Sequence, residues 1–137
     1  MDAKIREHIL HDITHFGLRA VVGTIFIVHG FPKFDPGFLN FLANIGVPAA
    51  MQYPIALAEF VGGIVLIAGL LTRIAASILA IDMLGSIFHV KQAASLTGQR
   101  GVEFDLILLA SSLAIITVGP GRISLSHILK KIPRFLQ

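Results

Sequence analysis

His29 and Lys33 stand four residues apart, a spacing that puts an imidazole and an ammonium on one face of a helix. Glu59, Gly62, Gly63 and Leu66 share a second helical face, where a carboxylate sits beside glycines that let another helix or a ligand come close. His89 with Lys91, and Glu103 with Asp105, add a basic and an acidic pair further along. Side chains of these types can hold a polar ligand and move protons to and from it. His29 and His89 also admit a reading as axial ligands to a haem, which requires a geometry that spacing alone does not supply. His8, His11 and His15 form a row at i, i+3 and i+7 that suits a metal or, as expected here, a solvated interfacial face with no metal site.

Other chemistry is excluded by composition. The chain has no cysteine, which removes disulfides, thiol nucleophiles, Cys-ligated zinc and iron–sulfur clusters as intrinsic equipment, and no intrinsic cofactor is expected. Hydrophobic residues make up 55% and charged residues 14% of the 137 residues, too apolar a balance for an ordinary soluble domain. The net charge of +3 does not point to nucleic acid, because the basic residues bracket apolar runs and form no stripe with aromatics. Asp2, Glu7 and Asp12 precede the first apolar run and no small-x-small site follows it, so that run is expected to stay as a helix and not to be cleaved as a signal peptide.

The elements that must carry these residues are spans of a bilayer. Residues 14–34, 54–72, 73–93 and 102–119 each approach the ~20 residues needed to cross ~30 Å of hydrocarbon. Phe31-Pro32 and Asp35-Pro36-Gly37 end the first, Pro54 opens the second, Leu71-Thr72-Arg73 allows only a tight hairpin, and Gly119-Pro120-Gly121 stops the fourth. Phe38 to Met51, with Gly46-Val47-Pro48, reads as a short interfacial helix, and Ile5 to Phe16 and Ile128 to Leu136 read as amphipathic ends. The expected fold is therefore all-α: a single-domain, integral-membrane four-helix bundle with short interfacial helices in the first loop and at both termini.

An even number of spans places both termini and the second hairpin on one side, with Lys4, Arg6, Arg19, Arg73, Arg122, Lys130, Lys131 and Arg134. Only Lys33, Lys91 and Arg100 fall on the other. The positive-inside rule makes the termini cytoplasmic and the protein a multi-pass component of the cell membrane. At 1.5 Å per residue in alternating directions, the ionisable groups sort into two levels. His29, Lys33, Glu59, His89, Lys91, Glu103 and Asp105 lie toward the outer face, and Arg19, Arg73 and Arg122 lie toward the inner one. The outer set reads either as a ligand pocket or as ion pairs that staple the helices, and only one of Glu103 and Asp105 should face the bundle. The arginines fit lipid phosphates or helix C-termini. Asp82, near the middle of the third span, has no evident neighbour.

These residues fall in ordered motifs. Gly23 to Lys33, Glu59 to Arg73, Glu103, and Gly119 to Leu125 together resemble the pattern of DoxX-family membrane proteins over most of the chain. The departure is Ser126, where the family often has Asp after the Ser-Leu pair. The resemblance implies a four-helix membrane protein linked with quinone or thiol redox systems. Relatives include the membrane subunit of thiosulfate:quinone oxidoreductase, partners of superoxide dismutase and receptor-assembly chaperones. The expectation is a redox-linked membrane subunit whose outer pocket, built from His29, Lys33, Glu59, Gly62, Gly63, His89 and Glu103, takes a quinone-like molecule. Its partners would be the lipid bilayer and other membrane or redox subunits, or further copies of itself. The alternative is a non-enzymatic scaffold or assembly subunit packing against a client membrane protein.

Overall fold

The computed structural model describes residues 8–99, 101–129, 131, 133 and 135–137. Helix α1 runs from Ile9 to Gly30 and passes into a 3-10 turn over Phe31–Phe34. Helix α2 (Gly37–Asn44) and a second 3-10 turn (Ala49–Met51) lead into α3 (Gln52–Ala68). Helix α4 (Thr72–Gly85) ends in a π-helical turn, Ser86–Val90, and is followed by α5 (Glu103–Val118) and the short α6 (Leu125–Leu129). The long helices form a four-helix bundle: α1 packs on α3, α3 on α4, α4 on α5, and α5 returns to α1.

Helix boundaries follow local chemistry. His8 opens α1 by accepting from the Leu10 amide through Nδ1 at 3.1 Å. The expected separate N-terminal interfacial helix is, over its described part, the beginning of α1, because nothing between Ile9 and Phe16 breaks the backbone ladder. Helix α3 ends at Ala68, four residues before the expected Thr72. Gly69 takes φ +72°, and the amides of Gly69 and Leu70 return to the Val65 carbonyl at 3.0 and 3.1 Å. Among the described residues, the C-terminal amphipathic stretch is helical only in α6, through Leu129, and Phe135 and Leu136 lie in a turn. Lys130, Ile132 and Arg134, like Lys4, Ile5, Arg6 and Arg100, lie outside the described residues.

Three segments, Ile9–Phe34, Ala49–Ala68 and Thr72–Val90, are long and apolar enough to cross a membrane. Helix α5, the expected fourth span, has 16 residues and reaches about 24 Å at 1.5 Å per residue, whereas α4 has 14 and is lengthened by the π-helical turn to Val90. The distribution of side chains is that of a protein in lipid. Val21, Val28, Ile64, Ile81 and Ile107 point outward, while Arg19, Gln52, Glu59, Thr72, Asp105 and Ser112 are buried. The apolar core consists of Val22, Phe26, Leu66, Ala75, Ala76, Leu79, Met83, Leu108 and Ile115.

The closest helix contact is between α1 and α3. A Cβ on Gly63 would stand 2.5 Å from the Gly23 carbonyl oxygen, and one on Gly23 would stand 2.6 Å from that of Gly63. Backbone therefore meets backbone at this crossing. Gly62 instead faces the Leu79 side chain, with room for a methyl group at 3.4 Å. Gly63→Ala is expected to cost about 1–3 kcal/mol through forced separation of the helices. Gly62→Ala should cost much less, and thermal unfolding midpoints in detergent micelles will rank the two.

Candidate functional site

Toward the end of the bundle where α1 gives way to α2, the helices border a partly open cavity of about 620 Å³. Its walls are mainly apolar: Ile25, Phe26, Ile55, Met83 and Leu108 come from the bundle, and Phe38, Phe41 and Ile45 come from α2 and the turn after it. His29, Lys33, Glu59, Asp82, Ser86, His89, Lys91 and Asp105 interrupt this lining. An apolar cavity of this size with a few converging polar groups has the form of a small-molecule site.

Glu59 is brought to the cavity by the α1–α3 contact. A Cβ on Gly30 would lie 2.9 Å from the Glu59 Cβ, so only glycine lets α3 approach here. Glu59 is 2% exposed, and Lys33 Nζ donates to its Oε1. The 3-10 turn that carries Lys33 is held by Gln52, whose Nε2 donates to the carbonyls of Lys33 (3.1 Å) and Asp35 (3.0 Å). Lys33 also lies 5.6 Å from the Phe38 ring centroid, tying the pair to α2.

A second pair closes the α4–α5 side. Lys91 Nζ is 2.7 Å from Asp105 Oδ2, and Ser86 Oγ donates to the same oxygen at 3.2 Å. The π-helical turn places Ser86, His89 and Lys91 along this wall, a use common to π-turns at functional sites. His89 Nε2 donates to the Ile45 carbonyl at 2.9 Å and so fastens α4 to the loop after α2. His29 Nδ1 donates to the Ile25 carbonyl at 2.8 Å, and its ring lies 5.8 Å from that of Phe104.

The structure brings His29, Lys33, Glu59 and His89 to one cavity and leaves three expected members outside it. Glu103 is exposed; Asp105, two residues on and pointing the other way, is the buried member of that pair. Gly62 and Gly63 serve helix packing and do not line the cavity. Asp82, which spacing left without a neighbour, faces the cavity, and its carboxyl interacts with that of Glu59. Ser86 and Gln52 had no sequence signal beyond being polar within or beside an apolar run.

The three arginines are held by different partners. Arg19 is fully buried; its Nη1 donates to the carbonyls of Leu66 (3.0 Å) and Ile67 (3.2 Å), and its Nη2 donates to that of Ile123. It thus caps the negative end of α3 and pins the segment after α5. Arg122 pairs with Asp12 at 2.8 Å, and Arg73 lies beside Gly119. Ser126 is buried, and its amide donates to the Gly69 carbonyl at 3.2 Å, so this segment docks through its backbone. Among the described residues, no group of three or more His, Asp or Glu is placed to hold a metal. Of the histidine row, His8 caps α1 and His15 donates to the Gly119 carbonyl.

An all-helical bundle with lipid-facing aliphatics and a cavity lined by ionisable groups defines a small helical membrane protein with a polar-floored pocket. The chain belongs to the DoxX family, whose model matches residues 15–92. It is 39% identical over 104 residues to the Bacillus subtilis (strain 168) protein named "Putative oxidoreductase CatD", covering 74% of this chain and 76% of that protein. It is also 35% identical over 133 residues to the uncharacterized membrane protein Rv3486 of Mycobacterium tuberculosis, covering 83% of this chain and 80% of that protein. No solved structure matches.

Breaking the buried pair tests the wiring of the site. Lys33→Met leaves Glu59 without its cation and is expected to lower stability by about 3 kcal/mol. Adding Glu59→Gln should restore at least half of that loss, measured as the unfolding midpoint in micelles.

Proposed function

We propose that this chain is the membrane subunit of a quinone-linked redox system of the cell membrane and that its cavity holds a quinone-like ring. The observation that carries the reading is the 620 Å³ cavity with apolar walls, a Lys33–Glu59 pair on one side and a Lys91–Asp105 pair on the other. A quinone needs this combination: a flat apolar slot, cationic donors for its carbonyl oxygens, and acids nearby, because its reduction takes up two protons. Lys33 and His29 are the donors proposed for one carbonyl, and Glu59 is the proton carrier. A chain without cysteine has no thiol to supply electrons, so they come from a partner subunit. The oxidoreductase name of the Bacillus relative supports the same direction.

Saturable binding of a ubiquinone or menaquinone analogue to the protein in nanodiscs is expected. Glu59→Gln and Lys33→Met should each weaken it at least tenfold, about 1.4 kcal/mol. Absence of saturable binding, or equal binding by both variants, removes the quinone. A stoichiometric partner that co-purifies from native membranes regardless of quinone would then favour the scaffold role.

The excess of basic residues on the side of the termini supports an orientation with both ends cytoplasmic. In this cysteine-free chain, single cysteines report topology directly. With intact cells, an impermeant maleimide should label Gln99→Cys and not His127→Cys; the reverse pattern inverts the protein.

A further inference from the structure

We propose that Asp82 and Glu59 hold one proton between them, making Asp82 a working member of the cavity. Glu59 is 2% exposed and its two oxygens are not equivalent: Lys33 occupies Oε1, while Oε2 is buried with no hydrogen-bond partner. An ionised carboxylate oxygen left this way in an apolar wall is costly unless a donor reaches it. Asp82, on α4 across the same cavity, has its carboxyl beside that of Glu59. A protonated Asp82 is the donor that Oε2 lacks.

The charges facing the cavity lead to the same result. Helix α1 presents His29, the 3-10 turn Lys33, α3 Glu59, α4 Asp82, the π-helical turn His89 with Lys91 just beyond, and α5 Asp105. Lys91 is committed to Asp105, whose Oδ2 also receives Ser86, and Lys33 is committed to Glu59. Asp82 makes no salt bridge of its own among the described residues, so its ionisation would set a second anion against the buried carboxylate of Glu59. Two carboxyls in contact in such a place share a proton. The two ammoniums, two carboxylates and one acid then sum to zero charge. As a supplier of that proton to a bound ligand, the pair rests on the reading of the cavity as a ligand site; the shared proton itself does not.

Infrared spectroscopy of the protein in nanodiscs at neutral pH tests this without any ligand. The expected result is a carbonyl stretch of a protonated carboxylic acid that moves in heavy water and also shifts when aspartate carboxyls carry ¹³C. Asp82→Asn should abolish it, because Glu59 then remains ionised against Lys33. Glu59→Gln should abolish it as well, because Lys33 is freed to pair with an ionised Asp82. Asp105→Asn should leave it in place. The absence of the band in the unsubstituted protein, or its survival in either Asp82→Asn or Glu59→Gln, overturns the proposal. A present band with no quinone binding refutes the quinone and keeps the proton, and quinone binding without the band does the converse.

Discussion

A carboxylate at Glu59 can exist inside this bundle only because Lys33 meets it from the neighbouring element, and much of that end of the molecule follows from that meeting. For the ammonium to arrive, α1 must tighten into a 3-10 turn at Phe31–Phe34, and Gln52 must hold that turn by two of its carbonyls. For the carboxylate to arrive, α3 must press against α1 where Gly23, Gly30 and Gly63 leave no side chain in the way. Once Lys33 is fixed, Phe38 lies against it and α2 is laid over the mouth of the bundle as the roof of the cavity. Charge satisfaction, helix packing and the shape of the pocket are thus one problem with one solution.

The opposite end is organised by a different device. Arg19 makes no carboxylate contact among its hydrogen bonds and delivers its charge to backbone carbonyls at the end of α3 and beyond α5. The helix dipole provides the compensating negative potential, and the planar guanidinium reaches several acceptors that a lysine ammonium could not bridge in the same way. The two layers therefore divide the labour: carboxylates and lysines around a cavity at one end, and a guanidinium in a cage of carbonyls at the other.

The architecture was legible in the sequence because apolar runs bounded by proline and glycine leave few alternatives, and the antiparallel order of the spans sorted the ionisable groups by depth. Rotation about each helix axis was not legible. Glu103 and Asp105 differ by two residues, and only packing against α4 shows that Asp105 is the one turned inward. Asp82 looked solitary because its neighbour belongs to α3 and is reached only across the cavity. The π-helical turn at Ser86–Val90 adds a phase shift that an ideal 3.6-residue period does not contain, so the direction of His89 and Lys91 lay beyond a regular helical wheel. The end of α3 at Gly69 was missed because the apolar run continues past it, although a glycine in the left-handed region stops the helix.

The cage around Arg19 has a consequence for how the protein is made. Its acceptors lie 47, 48 and 104 residues downstream, so when α1 first meets the membrane none of them has been synthesised. The first helix enters lipid carrying a guanidinium that has only headgroups and water for company, which holds that stretch of α1 near the interface. The arrival of α3 supplies two of the carbonyls, and the segment after α5 supplies the last. Assembly thus waits for the segment after α5, and the residue that was hardest to place is the one that closes the bundle.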